Sequence, residues 1–423
     1  MNPIVEGLNW FGNLPGPVMM FIIFFVINLL LRIPLSKAFR SAFMYALGLF
    51  ALSTFTFEIF LNTVVEVGDA LVKTSGMSKT IVDLGTTVTP ILLSNPIVIW
   101  AIPVGLLTNV VMILLKQTKT LDIDIYNILY FWGLPAVLVY VNTGKFTYAI
   151  ASIVITGFMT LKVADWCAPH IHEVLPQYKG ISFPYVYSTF YGPIAYYFNK
   201  LFDKIPFIRD SEITATTIKK KMGILGEPGI IGFGLGFGMA ICAKYHITDA
   251  MMVGIKLGAA LYFVPICTKI LIEGLNETSS VLTKLVQKHF KDREIYIGLD
   301  GVLLSGMPET LAVGLLLVPI ALLTAFILPW NQVLPVGMLS VGFILCGIFM
   351  PFFKMNILKG AIFCVIVVTC ELAIGQLLAP YFTEMVIASG IAIPYGSIQI
   401  TNAANLPNLI CVKLFELIEI LFK

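Results

Sequence analysis

TLAVGLLLVPIALLTAFILP (residues 310–329) runs for twenty residues without an Asp, Glu, Lys, Arg or His. A helix of about 20 predominantly apolar residues, rising 1.5 Å per residue, is long enough to cross the ~30 Å hydrocarbon layer of a bilayer. The same texture recurs at 16–34, 41–63, 93–115, 127–142 and 145–163, and again at 228–243, 250–272, 334–353 and 360–380. Of the 423 residues 58% are hydrophobic and 12% charged, with a mean hydropathy of +0.91. A soluble globule needs polar residues to cover its outside, so the bilayer is the solvent for this chain. The expected fold is an all-α polytopic membrane protein with ten transmembrane helices.

Between the two groups of five spans the texture changes. Residues 164–225 carry Lys179, Lys200, Lys204, Arg209 and the triplet Lys219, Lys220 and Lys221, with five prolines, and read as a cytoplasmic loop with short amphipathic helices. The chain therefore divides into a first membrane repeat (1–163), this loop (164–225), a second repeat (226–380) and a C-terminal segment (381–423). The last ends in NLICVKLFELIEILFK, an interfacial helix or an additional span. Lys and Arg concentrate in cytoplasmic connections. The first fifteen residues hold none, whereas the next connection has Arg32, Lys37 and Arg40, which places the N-terminus outside and the 164–225 loop inside. The N-terminus has neither the basic region nor the cleavage site of a secretory signal and is read as the mature start.

The halves resemble diverged copies. AIPVGLLT (101–108) matches LVPIALLT (317–324) at Pro, Leu, Leu and Thr, 216 residues apart, and Asp83 and Asp300 precede them 217 apart. Pro15-Gly16 recurs as Pro228-Gly229 and Leu47-Gly48 as Leu257-Gly258. An odd number of spans per copy turns the second copy upside down, the inverted-repeat plan of many transporters.

Each half also holds a polar, glycine- or threonine-bearing stretch too short and interrupted to cross as one helix: DLGTTVTPILLSNP (83–96) and IGLDGVLLSGMPET (297–310). Irregular backbone at membrane depth survives only where protein buries it or water reaches it, so paired re-entrant segments of this kind point to a transport site. Intramembrane carboxylates point the same way. The candidate substrate-binding residues are Asp83, Thr86, Thr87, Asp124, Asn127, Glu227, Asp300, Ser305 and Glu309. Together they offer the acceptors and donors that neighbouring hydroxyls require. For several of them a plainer role is equally open: Glu227 can begin a helix, and Asp83 and Asp124 can cap one. Glu371, within a span, reads as a structural contact, and GFGLGFG (232–238) as a close helix-packing run.

The seven cysteines lie mostly in apolar runs without a C-x-x-C pair, the four histidines lack zinc-ligand spacing, and no hydrolase, zincin or Walker sequence occurs. No metal, cofactor or catalytic residue is expected. A net charge of +3 without a basic aromatic patch gives no nucleic-acid signature.

GEPG (226–229), IGLDGVLL (297–304), NQVLP (331–335), DIDIYN (122–127), VADW (163–166), YGPIA (191–195) and DKIP (203–206) resemble, in order, stretches of the galactitol-type IIC components of sugar phosphotransferase systems, within the ascorbate-galactitol superfamily. The resemblance implies a permease of the cytoplasmic (inner) membrane that moves a galactitol-like polyol or related sugar inward. It also implies an elevator-like homodimer, and separate IIA and IIB proteins that deliver phosphate to the sugar. Where galactitol-type members carry histidines this chain has Tyr185 and Met307, and TTVTPILLSNP differs from the family stretch, which leaves a related polyol or hexose equally open. A proton- or sodium-coupled secondary transporter is the rival reading, since broken helices and buried carboxylates serve it too.

Overall fold

The computed structural model describes residues 14–76, 79–289, 294–389, 399–402 and 405–422. Its longer helices are α1 (Gly16–Leu30), α2 (Leu35–Ser53), α3 (Asn62–Ser75), α4 (Ala101–Leu114), α5 (Gly133–Thr143), α6 (Phe146–Val174) and α7 (Tyr191–Phe202). They continue as α8 (Ala215–Met222), α9 (Pro228–Cys242), α10 (Ile247–His289), α11 (Pro308–Ile327), α12 (Val336–Phe349), α13 (Ile357–Ala388) and α14 (Leu406–Leu421).

Helix covers most of each expected span, but fewer than ten of these helices are long enough to cross. Six helical stretches are long and apolar enough to cross a membrane: Leu35–Thr74, Pro96–Leu114, Phe146–Val174, Ile247–Leu275, Pro308–Ile327 and Ile357–Ala388. A seventh arises if Ala215–Gly226 and Pro228–Cys242, bent by 70°, count as one. The bend sits at Glu227, which is extended (φ −73°, ψ 137°) as the residue before a proline must be. Three further apolar helices, Pro17–Leu30, Ile128–Thr143 and Val341–Phe353, are shorter. At about 1.5 Å per residue each falls short of ~30 Å. Three helices outrun their apolar stretches, α6 to Val174, α10 to His289 and α13 to Ala388. In α6 the extension is anchored by Asp165, whose carboxylate accepts from Thr118 Oγ1 (2.8 Å), Lys119 N (2.9 Å) and Thr120 Oγ1 (2.8 Å).

Glycine sets the closest packing. α2 lies along α10, with α1 against α2 and α9 against α10. A Cβ on Gly274 would stand 2.3 Å from Tyr45 N, and one on Gly258 2.5 Å from Gly229 O, so only glycine admits these backbones. Within 232–238, Gly232 and Gly236 press on Leu257 and its neighbours whereas Gly234 and Gly238 face open space. A buried polar clamp ties the group together: Thr278 Oγ1 donates to Asn28 Oδ1 (2.6 Å) and Ser41 Oγ to Gly274 O (2.6 Å). The remaining helices form a second group, α11 on α12 and α13, α6 on α4 and α5, and α14 on α5 and α6.

Six strands of two or three residues join this second group: β1 (Ile81–Asp83), β2 (Thr120–Asp122), β3 (Ile181–Ser182), β4 (Tyr296–Gly298), β5 (Val333–Leu334) and β6 (Gln399–Thr401). They make two parallel sheets, ordered β5-β1-β6 and β2-β4-β3. In each, the central strand comes from one half of the chain and both edges from the other. The interrupted segments follow the two central strands directly, so the sheets fix where those segments begin.

Candidate functional site

At the β2-β4-β3 sheet, Asp122 and Ser182 stand opposite Gly298 in register, and the chain leaving β4 turns at Asp300. Asp300 is partly exposed; its Oδ1 accepts from Val302 N (2.9 Å), starting the short helix Val302–Ser305. Ser305 is buried and donates to Val302 O. Gly301 lies against Tyr185, whose Cβ an added Cβ would meet at 3.0 Å and whose ring at 3.1 Å. From β2, Asp122 Oδ1 accepts from Asp124 N (3.0 Å) and Asp124 Oδ1 from Asn127 N (3.0 Å), a chain of caps that launches the helix beginning at Ile125. Asn127 Nδ2 donates to Pro184 O (2.6 Å), fastening this helix to the loop after β3. Asp300, Asp124 and Asn127 thus meet at one sheet, and Asp122, buried to 1%, joins them, whereas the Ser305 hydroxyl turns back on its own short helix. Asp122 and Asp300 lie in connections outside the spanning helices. Burial raises both carboxyls above the ordinary range, and the charge of Asp300 adds to the shift at Asp122. Gly306, at the end of the same short segment, packs on Thr268 of α10, whose Oγ1 an added Cβ would meet at 2.2 Å, so the segment bearing Asp300 lies against the first helix group.

The other candidates lie elsewhere. Asp83, on the opposite sheet, accepts from Gly85 N (3.1 Å) and with its second oxygen from Met338 N (2.7 Å), capping α12 of the other half. The backbone of Thr86 and Thr87 belongs to the tight turn Gly85–Val88; their side chains lie outside the described residues. Glu309, at the start of α11, accepts from Ala215 N (3.0 Å) and so holds the first turn of α8. Glu227 is exposed and paired with Lys219 at 3.3 Å.

One residue of the site was not singled out from sequence, and another was read there only as a structural contact. Asp122 lies one alternation before Asp124 in DIDIYN, a spacing that places both on one side of an extended strand. Glu371 lies 2% exposed in α13 and accepts from Tyr191 Oη at 2.6 Å. The stretch YVYSTFY (185–191) therefore links the Asp300 turn, through Tyr185, to Glu371; its aromatic density was the available signal.

The profile of the EIIC-GAT family, "PTS system sugar-specific permease component", matches residues 14–396. The chain is 31% identical over 410 residues, 96% of its length and 93% of the relative's, to an Escherichia coli (strain K12) protein provisionally named permease IIC component. It is 27% identical over 342 residues to the "PTS system galactitol-specific EIIC component" of the same strain, covering 80% of this chain and 75% of that one. The protein of that name from Escherichia coli O157:H7 gives the same figures.

Proposed function

Since this chain belongs to the family of PTS sugar-specific permease components, we propose that it carries a galactitol-like polyol or related sugar across the cytoplasmic membrane for phosphorylation by a separate IIB protein. The galactitol-specific relative supports a polyol, and the site's chemistry supports an uncharged, hydroxyl-rich solute. The observation that carries the reading is the group formed by Asp300, Asp124 and Asn127 at the start of an interrupted segment that packs on the first helix group through Gly306 and Thr268. Half-buried carboxylate and amide acceptors in such a place suit sugar hydroxyls, which donate.

Further parts of the reading follow. The three shorter helices complete ten crossings, the N-terminus is external, and the halves are inverted copies. The exchange of central and edge strands between the two sheets supports the last point. So do Arg32 and Lys244, 212 residues apart, both left-handed (φ 59° and 63°) just past the ends of α1 and α9. Transport follows an elevator path in which the helices bearing the Asp300 site move against the α1, α2, α9 and α10 group, within a homodimer. The test is a screen of hexitols and hexoses for binding and for uptake with IIB, IIA and phosphoenolpyruvate. IIB-dependent appearance of phosphorylated sugar inside vesicles is expected; uptake driven by an ion gradient alone would sink the reading.

A further inference from the structure

Asp122 is fixed from every side but one. Its backbone N donates to Asn109 Oδ1 (3.0 Å) while Asn109 Nδ2 donates to Thr120 O (2.8 Å), so a side chain on α4 holds the strand. Ser182 Oγ in turn donates to Thr120 Oγ1 (2.8 Å), whose own proton goes to Asp165 Oδ1. Across the sheet Gly298 has no side chain, and a Cβ there would stand 2.8 Å from Asp122 Cα. Oδ1 is satisfied by Asp124 N (3.0 Å), but Oδ2 is buried and has no hydrogen-bond partner. The Asn127 side chain lies beside this carboxylate but completes no hydrogen bond to Oδ2; one N–H of its Nδ2 goes to Pro184 O, and its Oδ1 is likewise buried without a partner. Neither Asp122 nor Asp300 forms an ion pair among the described residues.

Two buried acceptors lacking donors on adjacent side chains are costly, and native interiors rarely keep them unless something supplies the missing donors. A metal ion would need carboxylates converging on one point, and among the described residues no such group of three exists. Hydroxyls fit: each donates one hydrogen bond and accepts others. Asp300 and Asp124, both partly exposed, leave an approach.

We propose that Asp122 is a specificity-determining residue of the sugar site, its Oδ2 and Asn127 Oδ1 taking hydrogen bonds from hydroxyls of an uncharged polyol. This rests on the sugar-permease reading and names which acceptors distinguish one hydroxyl arrangement from another. A site built to accept a hydroxyl proton discriminates sharply against a ligand that lacks it, because its buried oxygen is then left alone.

The experiment measures binding of galactitol, mannitol, sorbitol and their monodeoxy analogues to purified full-length protein, alongside thermal melting. Asp122→Asn preserves shape and the acceptor for Asp124 N but removes the charge. The expected result is an unchanged melting temperature, affinity for the preferred hexitol reduced about tenfold or more, and loss of the penalty for one deoxy position. Equal affinity with an unchanged order of preference overturns the inference while leaving the permease reading intact. Should Asp122→Asn melt lower, Asp122→Glu keeps the charge and moves the oxygen; it must then reorder the hexitols, and an unchanged order overturns the inference. A parent protein that binds neither hexitols nor hexoses overturns the permease reading and this inference with it.

Discussion

Asp300 and Glu309 lie nine positions apart in one interrupted segment, yet their carboxylates have different work. Asp300 spends one oxygen on Val302 N and is partly exposed, which leaves its other oxygen for a ligand. Glu309 gives an oxygen to Ala215 N, the first residue of α8, 94 positions away in sequence. Asp300→Asn is therefore expected to lower polyol affinity about tenfold or more, since a hydrogen bond to a charged acceptor contributes about 1.5–3 kcal/mol. Glu309→Gln keeps an acceptor for Ala215 N and should bind close to parental strength. Calorimetric titration of both variants checks the contrast, and equal losses would show that Glu309 reaches the sugar as well. From sequence the two looked alike, because a hydrogen bond to a distant backbone N–H leaves no local signature. Asp83 has the same history: the Gly85 half of its role is a local turn, but the Met338 half is visible only when the halves are brought together.

At the level of elements, the crossing of α2 over α10 depends on glycines that leave no room for a side chain. Gly274→Ala would drive a Cβ to 2.3 Å from the Tyr45 backbone and is expected to destabilise the protein by about 1–3 kcal/mol. Gly238→Ala, whose Cβ would meet nothing within 4 Å, should leave the melting temperature almost unchanged. Melting curves of both in the same detergent decide it; a harmless Gly274→Ala would mean that the helices separate more readily than their packing implies. The helices were legible because apolar runs such as 310–329 exceed anything a soluble fold tolerates, and the close packing of GFGLGFG because alternate glycines have few other uses. The six strands were not legible. Two or three residues carry no periodicity, and Ile81–Asp83 gains its identity only from Val333–Leu334 and Gln399–Thr401 beside it. The order of the sheets, which gathers Asp122, Asp300 and Asn127, is likewise a property of chain ends brought together over long separations.

For the molecule as a whole, the connection between the halves joins site to surface. After α7 the chain is strapped beneath the second half: Lys359 Nζ donates to Asn199 Oδ1 (3.0 Å) and Asp203 Oδ1 (2.8 Å), Asn356 Nδ2 to Ser211 O (2.6 Å), and Ile357 N to Ile213 O (2.7 Å). Glu309 then receives Ala215 N, and the Thr214–Thr217 capping box starts α8, a helix with no buried residue. Its exposed Lys219, Lys220 and Lys221 thus stand on a short, anchored helix one hydrogen bond from the segment that carries Asp300. We expect the α8 lysines to receive the phosphorylated IIB protein, because three unburied cations attract a phosphoryl group and its acidic surroundings over about a Debye length, ~8 Å at physiological salt. Changing all three to Gln should slow sugar phosphorylation several-fold at low ionic strength and less at high, without altering polyol binding. A parental phosphorylation rate in correctly inserted variant protein would remove the docking role and leave the lysines a topological one. Cysteine labelling settles the orientation on which this depends: reagents confined outside the cell should fail to reach positions 210–221, and labelling there would invert the topology and the docking face with it.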